Sequence, residues 1–318
     1  GSPKLFNSAL LLFNGRLFSS HDKTLLPNYD VFDENRYFSP SLQRSLLVLD
    51  GEKIAVTVCE DIWNDKDYWE RRRYEVDPVQ ELFEQGAELL INLSASPYHY
   101  KKAGQRADML CALARKYRAG VIYVNQAGGN DELVFDGSSM VCSGDGRLLF
   151  QAYPFQEVMF YLETEDLRSS AGGEKGIREI SFHNDMAFSA EFNQELLNRE
   201  GINWIYAALC RGLKDYLRKT GFERVVIGLS GGIDSSVTAA LAVAALGAKR
   251  VLGVLMPSRY SSAGSLRDAK ALARNLNMDT IVVPIEEPFR AFLKLMNGGD
   301  APQMDLAEEN IQARIRGN

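Results

Sequence analysis

Two groups of residues in this chain have types and spacings that could do chemistry. The first is Ser230-Gly231-Gly232-Ile233-Asp234-Ser235-Ser236, set between the apolar runs VVIGL and VTAALAVAAL. Read as strand, loop and helix, it places a loop at the carboxyl end of a strand, where parallel sheets bind ligands. Two glycines let the backbone approach an anion closely. Ser235 and Ser236 add hydroxyls at a helix N-terminus, where free amides and the dipole already favour an anion. Asp234 repels phosphate unless a cation lies between them, so the loop suggests Mg²⁺ bound to phosphates. It is not a Walker A loop, because no Lys follows the glycines and the spacing differs.

The second group surrounds Cys59, which ends the run KIAVTVC and precedes Glu60-Asp61-Ile62-Trp63. A thiol at a strand end is placed to attack a bound carbonyl, provided a nearby cation or base favours the thiolate. His21, His99 and His183 lie in no informative motif and are too few for a His-rich metal site; His99 and His183 read as structural or surface residues. Lys23, in the run HDKTLLPNY, answers the need for a cation. A strand-end cysteine fits a small buried hydrophobe equally well, and Cys111, Cys142 and Cys210 read that way.

These groups need elements to hold them. In the first half, residues 46–49 and 53–59 read as strands around an Asp50-Gly51 turn. Asp77-Pro78 opens a helix, with Asp as cap and Pro in the first turn. Residues 89–93 and 121–125 read as strands, and 106–118 as a helix by its apolar spacing. Two more strands flank Gly144-Asp145-Gly146 within 140–153. Residues 166–195, with the polar run SSAGGEK, read as a linker. The second half alternates helix 204–218, strand 224–229, helix 234–246, strand 251–256, helix 263–275 and strand 280–285, which means a parallel, doubly wound sheet. A last helix spans 305–316.

Composition bounds the rest. At 318 residues the chain has room for about two domains of ~150 residues each. With 46% hydrophobic and 25% charged residues it is globular in profile. The net charge of −6 argues against a nucleic-acid backbone as main partner. No apolar run approaches the ~18–20 residues of a membrane span. The four cysteines form no CxxC pair, which reads as a reduced, cytoplasmic protein.

The quoted motifs also carry family resemblances. SGGxDS resembles the pyrophosphate loop of the ATP pyrophosphatases. GLSGGIDSS, MPSRYSS and ENIQARIR together resemble the NAD synthetases within that superfamily. The resemblance implies that Ser230, Gly231, Gly232, Asp234, Ser235 and Ser236 hold pyrophosphate and Mg²⁺, Asp234 being the metal-side residue. It implies Arg259 near ATP, and Asn310 and Arg314 facing deamido-NAD. Arg314 and Arg316 also fit a solvated helix C-terminus favoured by the dipole. In the first half, KTLLPNYDVFDENRYF, VCEDIW, NLSAS and DELVFDGS resemble the nitrilase/amidase superfamily, in particular the glutaminase domain of glutamine-dependent NAD synthetases.

That resemblance implies a thioester between Cys59 and the glutamine side chain, with Lys23 stabilising the oxyanion and Glu34 as accessory carboxylate. Tyr29, Ser94 and Ser96 would hold glutamine. Lys102 would meet its α-carboxylate, though a Lys-Lys pair at a helix start also fits a solvated face. The implied fold is α/β: a partial nitrilase-like α-β-β-α sandwich over 1–165, the linker over 166–195, and a partial ATP-pyrophosphatase domain over 196–318. Gly1-Ser2 reads as a tag remnant, and only 22 residues, with no Glu among them, precede Lys23. The family's catalytic Glu upstream of that Lys, and the later half of the synthetase domain, are therefore expected to be missing. The family's synthetase domains pair as dimers. The alternative reading is a nitrilase-type amidase fused to an ATP pyrophosphatase acting on another acceptor.

Overall fold

Side chains that alternate along neighbouring strands set the layers of the first half. A computed structural model of the protein describes residues 4–164, 167, 178–181, 201–297 and 306–317. The chain divides into two compact units, Gly1–Ala208 and Leu209–Asn318.

Unit 1 opens with an antiparallel ribbon of β1 (Ser8–Phe13) and β2 (Arg16–Asp22). Its two turn residues, Asn14 and Gly15, both have positive φ, as a tight hairpin of matching twist requires. The main sheet is built from β3 (Leu47–Leu49), β4 (Glu52–Val58), β5 (Leu89–Ser94), β6 (Gly120–Asn125), β9 (Met140–Cys142) and β10 (Leu148–Gln151). Its order is β10-β9-β6-β5-β4-β3, and β4, β5 and β6 run parallel. The crossovers between those three are α1 (Pro78–Glu84) and α2 (Lys102–Tyr117). A small hairpin of β7 (Ala127–Asn130) and β8 (Leu133–Asp136) lies between β6 and β9 in sequence.

Alternation then sorts the core. Ala55, Leu90, Val121, Tyr123, Met140 and Cys142 pack with Leu82, Met109, Leu110 and Leu113 of the two helices. Ile54, Val56, Leu89, Ile91, Ile122 and Val141 form a second cluster with Leu11 of the ribbon. Helices, sheet and ribbon thus form successive layers. Each fully buried Leu or Met contributes roughly 1.5–3 kcal/mol relative to exposure.

The expected α1 cap is present: Asp77 accepts the Gln80 amide at 3.0 Å and Pro78 opens the helix. The helix expected at 106–118 begins earlier, at Lys102. Lys101 precedes it in a left-handed conformation and offers no side-chain cap, so the start carries no sequence signal. In the segment read as a linker, the described residues are Leu167 and 178–181. Leu167 is buried under Gly120, where a Cβ would come within 2.8 Å of it. Residues 178–181 form β12 (Arg178–Ser181), antiparallel to β11 (Val158–Tyr161). Those residues are therefore structured within unit 1, where the polar run beside them suggested a linker. The rest of 166–195, His183 and the expected boundary at 195/196 lie outside the described residues.

A helix α3 (Ile202–Thr220) contains the division between the units. Unit 2 continues with β13 (Val225–Gly228), α4 (Ile233–Leu246), β14 (Val251–Leu255), α5 (Ala263–Asn275) and β15 (Asp279–Val282). The three strands are parallel, in the order β13-β14-β15. Leu229, Ala239, Ala242, Val251, Leu255, Ala269 and Ala273 form the core of this unit. Helix α6 (Glu286–Asn297) follows, not separated in the sequence reading, and then α7 (Leu306–Gly317). Among the described residues no helix is long and apolar enough to cross a membrane.

Candidate active site

The parallel strands β4 and β5 end where the chemistry of unit 1 collects. Cys59 follows Val58 directly, opens a short 3-10 turn, and has φ of +47°, a left-handed conformation that costs a non-glycine residue free energy. Two buried polar side chains hold it there. Asn92 of β5 donates to Thr57 Oγ1 at 3.0 Å and to the Cys59 carbonyl at 3.4 Å. Asp61 accepts the Val58 amide at 3.1 Å, and also those of Thr24 at 3.0 Å and Leu25 at 2.7 Å. One carboxylate thereby clips the segment after Lys23 to the turn carrying Cys59.

Lys23 is buried, and its ammonium donates to both oxygens of Glu34 at 2.6 and 2.8 Å. Burial pushes the Cys59 thiol pKa up; the Lys23 ammonium and the Ala95 amide pull it down, and Glu60 and Glu34 oppose them. The surroundings thus include a cation and an N–H donor that favour the thiolate against desolvation. Glu60 is buried and accepts the hydroxyls of Tyr29 at 2.8 Å and Tyr74 at 3.1 Å. Burial, then Glu60, keep the Tyr29 phenol protonated well above its ordinary range. The Arg73 guanidinium lies 3.8 Å from the centre of the Tyr29 ring.

These groups border a cavity of about 710 Å³ lined by Tyr29, Cys59, Glu60, Trp63, Ser96, Lys102 and residues of 68–73. Lys102 is half-buried and lies over Trp63; burial, then Arg106, lower its pKa. Ser96 is held by Asn125, whose Oδ1 accepts the Ser96 amide at 2.9 Å. Ser94 does not line this cavity; its hydroxyl donates to Asn92 Oδ1 at 2.6 Å. Arg106 and Asp136 form an ion pair with no exposed side-chain surface. Sequence reasoning gave no role to Glu60, Asp61, Asn92 or Asn125. Polar residues beside a candidate nucleophile or at the ends of apolar strands were the available signal.

Asp61 gives the clip a pH signature. Burial pushes its carboxyl up to about 6, against the three amides and Lys23. A carboxyl whose folded pKa lies above its unfolded value of about 3.9 costs stability at neutral pH, and the cost vanishes as pH falls through that window. Asp61→Asn removes the charge but turns an NH₂ group toward one of the three donors. In urea titrations, the stability difference between the unaltered protein and this variant should shift in favour of the unaltered protein by up to about 3 kcal/mol from about pH 7 to about pH 4. A flat difference would assign that titration elsewhere.

In unit 2 the glycine loop closes on itself. Gly231 has φ of +82°. Ser230 Oγ and Ser235 Oγ are 3.0 Å apart, the Gly232 amide donates to Ser230 Oγ at 3.1 Å, and Ser236 donates to the Gly232 carbonyl at 2.8 Å. Asp234 is exposed in the first turn of α4. A cavity of about 490 Å³ adjoins the loop, lined in part by Gly228, Ser230, Met256, Tyr260, Gln312 and Arg316. Arg259 borders a neighbouring cavity and donates to Glu286 at 2.8 Å. On α7, Gln312 accepts from Ser258 at 2.7 Å and Arg316 donates to the Met256 carbonyl at 3.3 Å. Asn310 and Arg314 are exposed and absent from that lining, two positions or roughly 200° away around the helix. The spacing of Ile311 and Ile315 was the signal that could have set this phase.

Comparison with known proteins places the chain in a family. Residues 1–165 match the family model of the carbon-nitrogen hydrolases. The chain belongs to the carbon-nitrogen hydrolase family. Residues 205–318 match the model of NAD synthase. The glutamine-dependent NAD(+) synthetase of Synechocystis sp. is 42% identical, over 100% of this chain and 54% of its own length. That of Thermotoga maritima is 39% identical, over 98% and 55%. The structure of glutamine-dependent NAD+ synthetase from Acinetobacter baumannii in complex with ADP matches with a TM-score of 0.79 at 33% identity, covering 98% of this chain and 54% of that one. The chain spans about half the length of the curated relatives it matches. Cys59 lines the 710 Å³ cavity, and Lys23 lies close enough to pull down the pKa of its thiol.

Proposed function

We propose that unit 1 releases ammonia from glutamine and that unit 2 uses ATP to activate deamido-NAD for amidation. The observation that carries the reading is the Asp61 clip, which links the backbone next to Lys23 with the turn that presents Cys59 to a cavity. The Cys59 thiolate adds to the side-chain carbonyl, and the oxyanion is stabilised by the Lys23 ammonium. The carbon–nitrogen bond breaks, nitrogen leaves as ammonia with an added proton, and water cleaves the thioester to glutamate. The thiol's proton needs a base; the resemblance implies a Glu upstream of Lys23, since Glu34 is engaged by Lys23. Glu60 suits the α-ammonium of glutamine, Lys102 its α-carboxylate, and Tyr29 and Ser96 the walls around it. Ser94 acts through Asn92 in this reading.

In unit 2, Ser230, Gly231, Gly232, Ser235 and Ser236 hold the phosphates, and Arg259 lies toward ATP. An oxygen of the nicotinate carboxylate attacks the α-phosphorus, pyrophosphate leaves, and ammonia displaces AMP from the adenylate. Among the described residues no three His, Cys, Asp or Glu side chains converge on a metal position. Asp234 is a single carboxylate, and one carboxylate plus phosphate oxygens is a usual way to hold Mg²⁺. The residues therefore fit Mg²⁺ that arrives with ATP. Asn310 and Arg314 remain proposed contacts of deamido-NAD, joined by Gln312 and Arg316. A cytoplasmic setting agrees with four free thiols. Self-association through unit 2 completes the reading.

A coupled assay on the full-length gene product tests it, with deamido-NAD, ATP and Mg²⁺ and either glutamine or ammonium chloride as nitrogen source. NAD and AMP are expected from both. NAD from ammonium alone would reduce Cys59 to a structural thiol. NAD from neither, with folded protein, would overturn the acceptor assignment.

A further inference from the structure

Cys111 and Cys142 read from sequence as unrelated small hydrophobes. The fold brings their sulfurs to 3.2 Å. Cys111 is on α2 and half-buried, whereas Cys142 is on β9 and fully buried in the core. A disulfide has a sulfur separation of about 2.05 Å, so the two need approach by only about 1.2 Å.

We propose that Cys111 and Cys142 are a paired oxidation site, closed to a disulfide by a low-molecular-weight disulfide such as oxidised glutathione. The asymmetry of the pair sets the order of events. Cys111 is the less buried of the two and so the first candidate for attack from solution. The hydrogen bond with Cys142 and then Arg115 lower its pKa, while burial and Asp108 oppose them. Arg115 is kept at the site by the carbonyls of Asp145 and Gly146, at 3.4 and 3.3 Å, in the turn after β9. Cys142 has no exposed surface, and the same hydrogen bond and burial raise its pKa, which makes it the second sulfur to react.

In the first step the Cys111 thiolate attacks one sulfur of oxidised glutathione, whose disulfide breaks and releases one glutathione thiolate. Cys142 then attacks Cys111 Sγ, its proton passes to the second leaving glutathione, and the protein disulfide forms. Two protein thiols are oxidised and one glutathione disulfide is reduced to two thiols. The bond would tie α2, which carries Lys102 toward the Cys59 cavity, to the sheet. The inference does not depend on the proposed reaction.

The test uses the full chain with Cys59→Ala, so that the thiol lining that cavity does not compete. The folded protein is incubated with oxidised glutathione near about pH 8, where thiolates are accessible. Remaining thiols are alkylated, and peptides are mapped without reduction. The expected result is one linked pair containing residues 111 and 142, lost on adding dithiothreitol. Adding Cys142→Ser should stop the reaction at a glutathione adduct on Cys111. Adding Cys111→Ser should leave Cys142 unmodified until the chain is unfolded. If the buried hydroxyl of Cys142→Ser unfolds the chain, Cys142→Ala gives the same reading. A folded protein whose Cys111 keeps its glutathione with Cys142 intact, or that links the pair only in urea, would overturn the proposal.

Discussion

Cys59→Ala should abolish glutamate release from glutamine, by a factor on the order of 10⁴ or more, and leave ammonium-driven NAD formation within about twofold. The variant removes the sulfur and little else. The contacts of Asn92 and Asp61 that hold this turn end on backbone atoms and on Thr57, not on the thiol. Ala tolerates the +47° backbone about as well as Cys does, so the fold is expected to survive. Glutamate release and NAD formation, measured on the same sample, separate the two units. Residual glutaminase turnover would move the nucleophile elsewhere. Equal loss of both activities in a folded protein would sink the two-site reading.

Gly231→Ala should weaken nucleotide binding by about 100-fold or more, since the loop must abandon its closed form. A Cβ at this position would stand 2.2 Å from the Ser265 carbonyl oxygen and 2.8 Å from two further backbone atoms of Ser265. That backbone lies in the first turn of α5, anchored by Ser262, which accepts the Ser265 amide at 2.9 Å. Either the loop or the helix start must move, and the positive φ adds strain of about 1–3 kcal/mol. Gly247→Ala is the matched control. Gly247 has φ of +87° but open space around its Cβ position. It should lose about 1–2 kcal/mol of stability and bind ATP unchanged. Calorimetric titration with ATP and Mg²⁺, paired with urea unfolding, reads both quantities. Equal nucleotide affinity in the two variants would show that Ser265 yields to the methyl group.

The glycine loop was legible because its groups are consecutive in the chain. Strand, turn and helix then set their geometry with little help from elsewhere. The cysteine site was legible through resemblance, since Lys23, Glu34 and Cys59 carry no common period. The polar groups that assemble it were not legible. Asp61 gains its meaning from amides 36 and 37 residues away, and Asn125 from an amide 29 residues away. No local pattern announces a buried side chain that satisfies remote backbone. The phase of α7 was hard to read for another reason: half of its residues are polar, so the two isoleucines are a faint stripe. The early start of α2 escaped because its cap position is a left-handed lysine.

The burial of Lys23 has a consequence for the medium. The side chain of Lys23 has no exposed surface and its partner Glu34 keeps only 20%. Mobile ions screen exposed charges over about 8 Å in physiological salt, but they enter a closed pair poorly. The field felt at Cys59 is thus a property of the fold, insulated from ionic strength. Arg259, Glu286 and Arg290 in unit 2 are open to solvent at 25%, 26% and 60%. Added salt competes directly for those charges. The Lys23–Glu34 pair carries its own electrolyte, whereas the Arg259 cluster shares that of the solution.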